Sequence, residues 1–212
     1  MIEIAEFEMA YSAVPKAGCT SVKTAIAELL GERPAEDDEY AVHPKLPTRR
    51  FAPRRFHRYD GWHRFTVVRD PIKRLLSVYT DLVATRNILR NSANIRRGRV
   101  DLPVKPDPDF FFQNLDAYRS AASVIKHHAL RQILFTGPDL TLYDQVYDVS
   151  QLGRLGEDLS LMTGRPVSFD KPMNASKFRL KLDDLVPASR DVIHANAADD
   201  YAAFGGYLAE AA

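Results

Sequence analysis

The chain has 212 residues, 45% hydrophobic and 27% charged, which is enough for one domain with a sizeable core and marginal for two. Its single cysteine, Cys19, excludes an intramolecular disulfide and fits a reducing compartment. Net charge is only +1, yet residues 43 to 105 carry sixteen Lys or Arg against four Asp, so this stretch is +12 and the remainder −11. Such a field attracts a nucleotide, a nucleic acid or an acidic sugar, and it equally suits a solvated basic surface balanced by acidic segments.

The opening MIEIAEFEMAYSAV has early acids and no basic segment of the signal-peptide kind. No apolar run approaches the ~20 residues that span a bilayer, so a cytoplasmic protein without membrane insertion is expected. Met9 to Val14 reads as a short buried strand ended by Pro15. A loop, Lys16 to Ser21, leads into a helix with apolar spacing at Val22, Ile26, Leu29 and Leu30 that Gly31 stops. Phe65 to Val68 is a second strand. Asp70 as N-cap and Pro71 at the first position then open a helix carried by Leu75, Leu76, Val78, Tyr79, Leu82 and Val83.

Residues 87 to 108 are rich in Arg, Asn and Pro and read as a long, mobile, basic loop within a single domain of 1–212. Phe110 to Leu115 and Ser120 to Leu134 read as helices, and Val146 to Val149 as a strand. Leu152 to Met162 reads as a helix closed by Gly164, and Ser189 to Tyr201 as a final helix with Ser189 as N-cap. Strands alternating with helices predict an α/β fold with a central parallel sheet, whose ligands bind at the carboxyl ends of the strands.

Both strand–turn–helix corners have the chemistry of an anion site. In Pro15-Lys16-Ala17-Gly18-Cys19-Thr20-Ser21 the first helical N–H groups lack intrahelical partners and carry the positive end of the helix dipole. Gly18 lets the backbone come close to an anion, Thr20 and Ser21 add hydroxyls, and Lys16 adds a full charge. A plain capped helix start explains the same residues. The order differs from GxxxxGK[ST], because Lys16 precedes Gly18, so magnesium triphosphate is not the expected ligand. In Val68-Arg69-Asp70-Pro71-Ile72-Lys73-Arg74-Leu75-Leu76-Ser77-Val78-Tyr79, Arg69 ends a strand and Ser77 lies eight residues on. Arg suits a bidentate phosphate contact and Ser a third oxygen. Pairing of Arg69 with a nearby acid is the structural alternative.

These two segments resemble those of sulfotransferases that use 3′-phosphoadenosine-5′-phosphosulfate (PAPS), in the carbohydrate (Golgi-type and bacterial) branch. PKAGCTSVK resembles that family's 5′-phosphosulfate loop, and FTVVRDPIKRLLSVY its 3′-phosphate segment. His128 and Gln132 resemble an H-x-x-x-Q element, and the likeness runs from about Tyr11 to Tyr207. The resemblance implies a three-layer α/β/α fold related to P-loop nucleotide kinases, with PAPS as donor, the bisphosphate PAP as product, and no metal. It implies that Lys16 contacts the phosphosulfate, that Ala17, Gly18, Cys19, Thr20 and Ser21 cradle the 5′-phosphate, and that Arg69 and Ser77 bind the 3′-phosphate.

Transfer to a hydroxyl acceptor, expected to be a carbohydrate, needs a general base. Of six histidines, His43 is the first choice and His128 the second, while His57 and His63 suit solvent or the cofactor rim. Arg49, Arg50, Arg54 and Arg55, or Arg90, Arg96, Arg97 and Arg99, suit an acidic acceptor such as a uronic-acid sugar. A non-catalytic nucleotide- or glycan-binding module and a P-loop-like kinase are the competing readings. Nucleic acid is not an expected partner, since the basic residues cluster around the phosphate turns. The sequence is silent on oligomeric state.

Overall fold

The computed structural model describes residues 1–32, 41–169 and 178–208. Four strands form one sheet in the order β1-β2-β3-β4: β1 Ile2–Ile4, β2 Met9–Ser12, β3 His63–Val68 and β4 Gln145–Asp148. The three strands β2, β3 and β4 are parallel, whereas β1 runs antiparallel to β2. The fold is therefore α/β with a mixed sheet: the strands expected from the sequence are parallel, and the antiparallel edge strand β1 is an addition to them. The physical reason is the short link: the turn Ala5–Phe7, closed by Glu8 at φ 50°, can only return the chain antiparallel. At three residues, β1 is too short to show a strand period.

The chain divides into two compact units, Met1–Asp70 with Gln132–Asn174 and Ala203–Ala212, and Pro71–Arg131 with Ala175–Ala202. The first contains the sheet. Alternation along the strands sorts its side chains. Tyr11, Phe65, Val67 and Tyr147 join Val22 and Ile26 of the helix Cys19–Leu29 and Leu155 and Leu159 of the helix Leu152–Thr163. Val68 and Val146 join a different cluster, with Phe56, Leu140, Tyr143 and Phe204. Tyr143 also ties β2 into this face, since its hydroxyl lies 2.9 Å from Ser12 Oγ and donates to the Thr136 carbonyl at 2.8 Å. Burial raises the Tyr143 pKa above its ordinary value, so the hydroxyl stays a donor.

The second unit is helical, around Leu75, Leu82, Phe111, Phe112, Tyr118 and Ile125. The helix expected over Ser120 to Leu134 is broken into Leu115–Ala121, Ser123–Ala129 and Ile133–Thr136. The first break falls at Ala122, in extended conformation, with no Gly or Pro to mark it. Its cause is tertiary: Ser92 Oγ and Asn94 Nδ2 donate to the Ala121 carbonyl at 2.7 and 3.3 Å and satisfy the helix end from outside. Those donors belong to the 87–108 segment, which carries the turns Ile88–Asn91 and Ala93–Arg96 and sends Leu89 and Ile95 into the core. The last helix is Pro187–Phe204, so Ser189 sits inside its first turn rather than capping it. Its buried Oγ accepts from Gln113 Nε2 at 3.1 Å. Pro187 takes the first helical position, where a missing N–H costs nothing. No described helix is long and apolar enough to cross a membrane.

Candidate functional site

The parallel pairing of β2 with β3 aligns Ser12 with Thr66, so the loops after both strands leave from the same end of the sheet. After β2 the chain turns through Pro15 to Gly18 and enters the helix at Cys19. Two residues in this turn are left-handed, Lys16 at φ 67° and Gly18 at φ 70°. For lysine that conformation costs about 1–2 kcal/mol. It is held by an outside contact: Arg69 Nη1 donates to the Lys16 carbonyl at 3.1 Å. The two sequence motifs thus touch within the first unit.

Gly18 is the N-cap of the helix, with no side-chain cap hydrogen bond. The N–H groups of Cys19, Thr20 and Ser21 thereby form the positive end of the helix. A Cβ on Gly18 would lie 3.2 Å from Leu152 Cδ1 and 3.4 Å from Val149 Cγ2. The need for glycine therefore comes from the left-handed turn and the neighbouring helix, rather than from room for an anion. Cys19 is buried in the sheet core, while Lys16, Thr20 and Ser21 are half-buried.

Arg69 follows β3 directly. Its N–H donates to Gln132 Oε1 at 3.1 Å, and its carbonyl accepts from Gln132 Nε2 at 2.7 Å. The amide replaces the strand partner that Arg69 lacks, and it is wholly buried. This accounts for the glutamine of the H-x-x-x-Q element: Gln132 fixes the backbone from which the arginine projects. Burial lowers the Arg69 pKa, against the opposing charges of Asp70 and Asp148.

Beside the loop lies a residue the sequence reading passed over. Lys23, one turn into the helix, has no exposed surface. Its Nζ donates to Thr48 Oγ1 at 2.7 Å and lies 3.1 Å from His43 Nδ1. His43 Nε2 in turn lies 3.1 Å from Thr20 Oγ1. The first histidine candidate is thus placed against the candidate phosphate loop, between Thr20 and a buried lysine. A helical wheel offered the signal, because Lys23 falls next to the stripe of Val22, Ile26 and Leu30.

Ser77 and His128 belong to the second unit. Ser77 ends the helix Pro71–Ser77 and donates to the Arg74 carbonyl at 2.6 Å, after which Val78–Thr85 continues in wider π turns. His128 Nδ1 lies 2.9 Å from the Val124 carbonyl, so that nitrogen carries the proton. Buried Arg74 donates to the carbonyls of His128 and Leu130 and closes the helix Ser123–Ala129.

On the β1 side of the first unit, Lys45, Arg49, Arg55 and Arg58 line an open groove of about 360 Å³ together with Glu3 and Tyr59. Two of these arginines are among those the sequence singled out for an acidic acceptor. Among the described residues no group of three or more His, Cys, Asp or Glu side chains is arranged to hold a metal.

The model of a family described as the sulfotransferase family matches residues 4–181. No curated protein and no solved structure gave a significant match.

Proposed function

This chain belongs to the sulfotransferase family, and we propose that its donor is PAPS and its acceptor a carbohydrate hydroxyl. It is a transferase of sulfuryl groups. The observation that carries the finer reading is the Arg69–Lys16 contact, which brings the two candidate phosphate turns together at one end of the sheet. A donor with a 5′-phosphosulfate and a separate 3′-phosphate needs two such cationic corners.

In this reading Lys16 and the helix start at Gly18, Cys19, Thr20 and Ser21 hold the 5′-phosphosulfate, with Ala17 in the loop between. Arg69 takes the 3′-phosphate, and the resemblance adds Ser77 to it. The acceptor oxygen attacks sulfur in line, the bond from sulfur to the bridging oxygen breaks, and PAP leaves with the extra negative charge on its 5′-phosphate. The Lys16 ammonium and the first helical N–H groups stabilise that charge where it develops. The hydroxyl proton passes to a general base, for which His43 and His128 are the nominated histidines. The basic groove beside β1 suits an acceptor bearing carboxylate or sulfate. The three-layer, P-loop-kinase-like fold and a single catalytic domain over 1–212, with its basic 87–108 segment, complete the proposal.

Calorimetry with PAP and with 5′-AMP tests it. The unmutated protein should prefer PAP by at least tenfold, and Arg69→Ala should remove most of that preference. Equal affinity of the unmutated protein for both nucleotides overturns the assignment of the donor.

A further inference from the structure

We infer that Lys23 is a positioning residue that fixes the His43 ring as its Nε2–H tautomer, so that His43 donates to Thr20 and turns the Thr20 hydroxyl proton towards the donor's 5′-phosphate. The phosphate end of this inference rests on the proposed donor; the tautomer does not.

Protons and lone pairs fix the state of the ring. Lys23 Nζ is a donor with no lone pair when charged, and it lies 3.1 Å from His43 Nδ1. That nitrogen must then accept. In neutral imidazole only one nitrogen accepts, so the proton resides on Nε2, which lies 3.1 Å from Thr20 Oγ1. Thr20 Oγ1 therefore receives a hydrogen bond through a lone pair, and its own O–H is left to donate elsewhere. Thr20 is the second residue of the helix that starts at Gly18, so the outlet for that O–H is the anion corner.

The position of Lys23 supports a positioning function over plain surface charge. Its side chain is fully buried, and Thr48 and His43 meet its ammonium as neutral acceptors. Burying an ammonium in this way is costly. Thr48 Oγ1, at 2.7 Å, fixes the direction of the ammonium towards the ring.

The decisive measurement is a long-range proton–nitrogen correlation on the unmutated protein with labelled histidine at neutral pH. The Nε2–H pattern for His43 supports the inference, and the Nδ1–H or doubly protonated pattern overturns it, whatever the donor proves to be. One variant extends the test. Lys23→Met should release the tautomer and weaken PAP about five- to tenfold, one hydrogen bond's worth. A Lys23→Met protein that keeps both the Nε2–H pattern and the PAP affinity overturns the positioning role of Lys23. If PAP fails to bind the unmutated protein while the Nε2–H pattern is present, the donor assignment falls and the tautomer stands.

Discussion

Replacing Gln132 by leucine removes both hydrogen bonds that hold the Arg69 backbone, one donated by its N–H at 3.1 Å and one accepted by its carbonyl at 2.7 Å. Leucine fills much the same volume in this fully buried site, so the packing loss is small and the polar loss dominates. Two buried backbone groups without partners cost about 1–3 kcal/mol each, partly relieved by local shifts, for a net of about 3 kcal/mol. In a chain of this length that lowers Tm by ~6–12 °C. The functional effect is more diagnostic. An arginine no longer aimed by its backbone loses a charge-assisted phosphate contact, which is worth about 10- to 100-fold in PAP affinity. Binding of 5′-AMP, which has no 3′-phosphate, should change by less than about threefold by the same reasoning. Differential scanning calorimetry gives the first quantity and titration with both nucleotides the second. A variant with unchanged Tm and an unchanged preference for PAP would refute the claim that Gln132 aims Arg69.

Gly18→Ala meets both a left-handed backbone and Leu152 Cδ1 at 3.2 Å, and should lose about 1–3 kcal/mol by urea denaturation. Leu152→Ala in the same chain should recover only the steric part. Thr20→Val keeps the shape of a half-buried side chain but takes the hydrogen-bond partner from the His43 ring, and should lower stability by about 1 kcal/mol. By titration it should weaken PAP about tenfold. His128→Ala should lower kcat about 10²-fold or more while PAP affinity stays constant, as steady-state kinetics and calorimetry together would show. Burial lowers the Lys23 pKa from 10.5, so between the folded value and 10.5 the unfolded chain binds the extra proton. Stability of the unmutated protein should therefore rise relative to Lys23→Met as pH climbs through that window. Parallel urea melts of the two proteins through the alkaline range check the sign.

What could be read from the sequence was what local chemistry determines. The strands at Met9–Ser12 and His63–Val68, the loop from Lys16 to Ser21 and the helix after it follow from runs of apolar residues punctuated by Pro and Gly. The features that escaped depend on residues far along the chain. Ala122 ends a helix because Ser92 and Asn94 reach its neighbour's carbonyl. Gly18 is required partly because Leu152 packs over it. Gln132 was visible as half of a motif, but its duty became apparent only when it was seen clasping Arg69, 63 positions earlier. Lys23 lies beside the apolar stripe of its helix, but its burial depends on His43 and Thr48, which come from later in the chain.

The central strand β3 has consequences for how the protein is made. One of its neighbours, β2, precedes it in the chain, but the other, β4, pairs Gln145 with Phe65 across some eighty intervening residues. While a ribosome is still adding those residues, an apolar strand with Phe65, Val67 and Val68 has one flank of backbone groups exposed to any passing chain. Nascent fragments that stop short of Asp148 should therefore aggregate, and chaperone demand should peak late in synthesis rather than early.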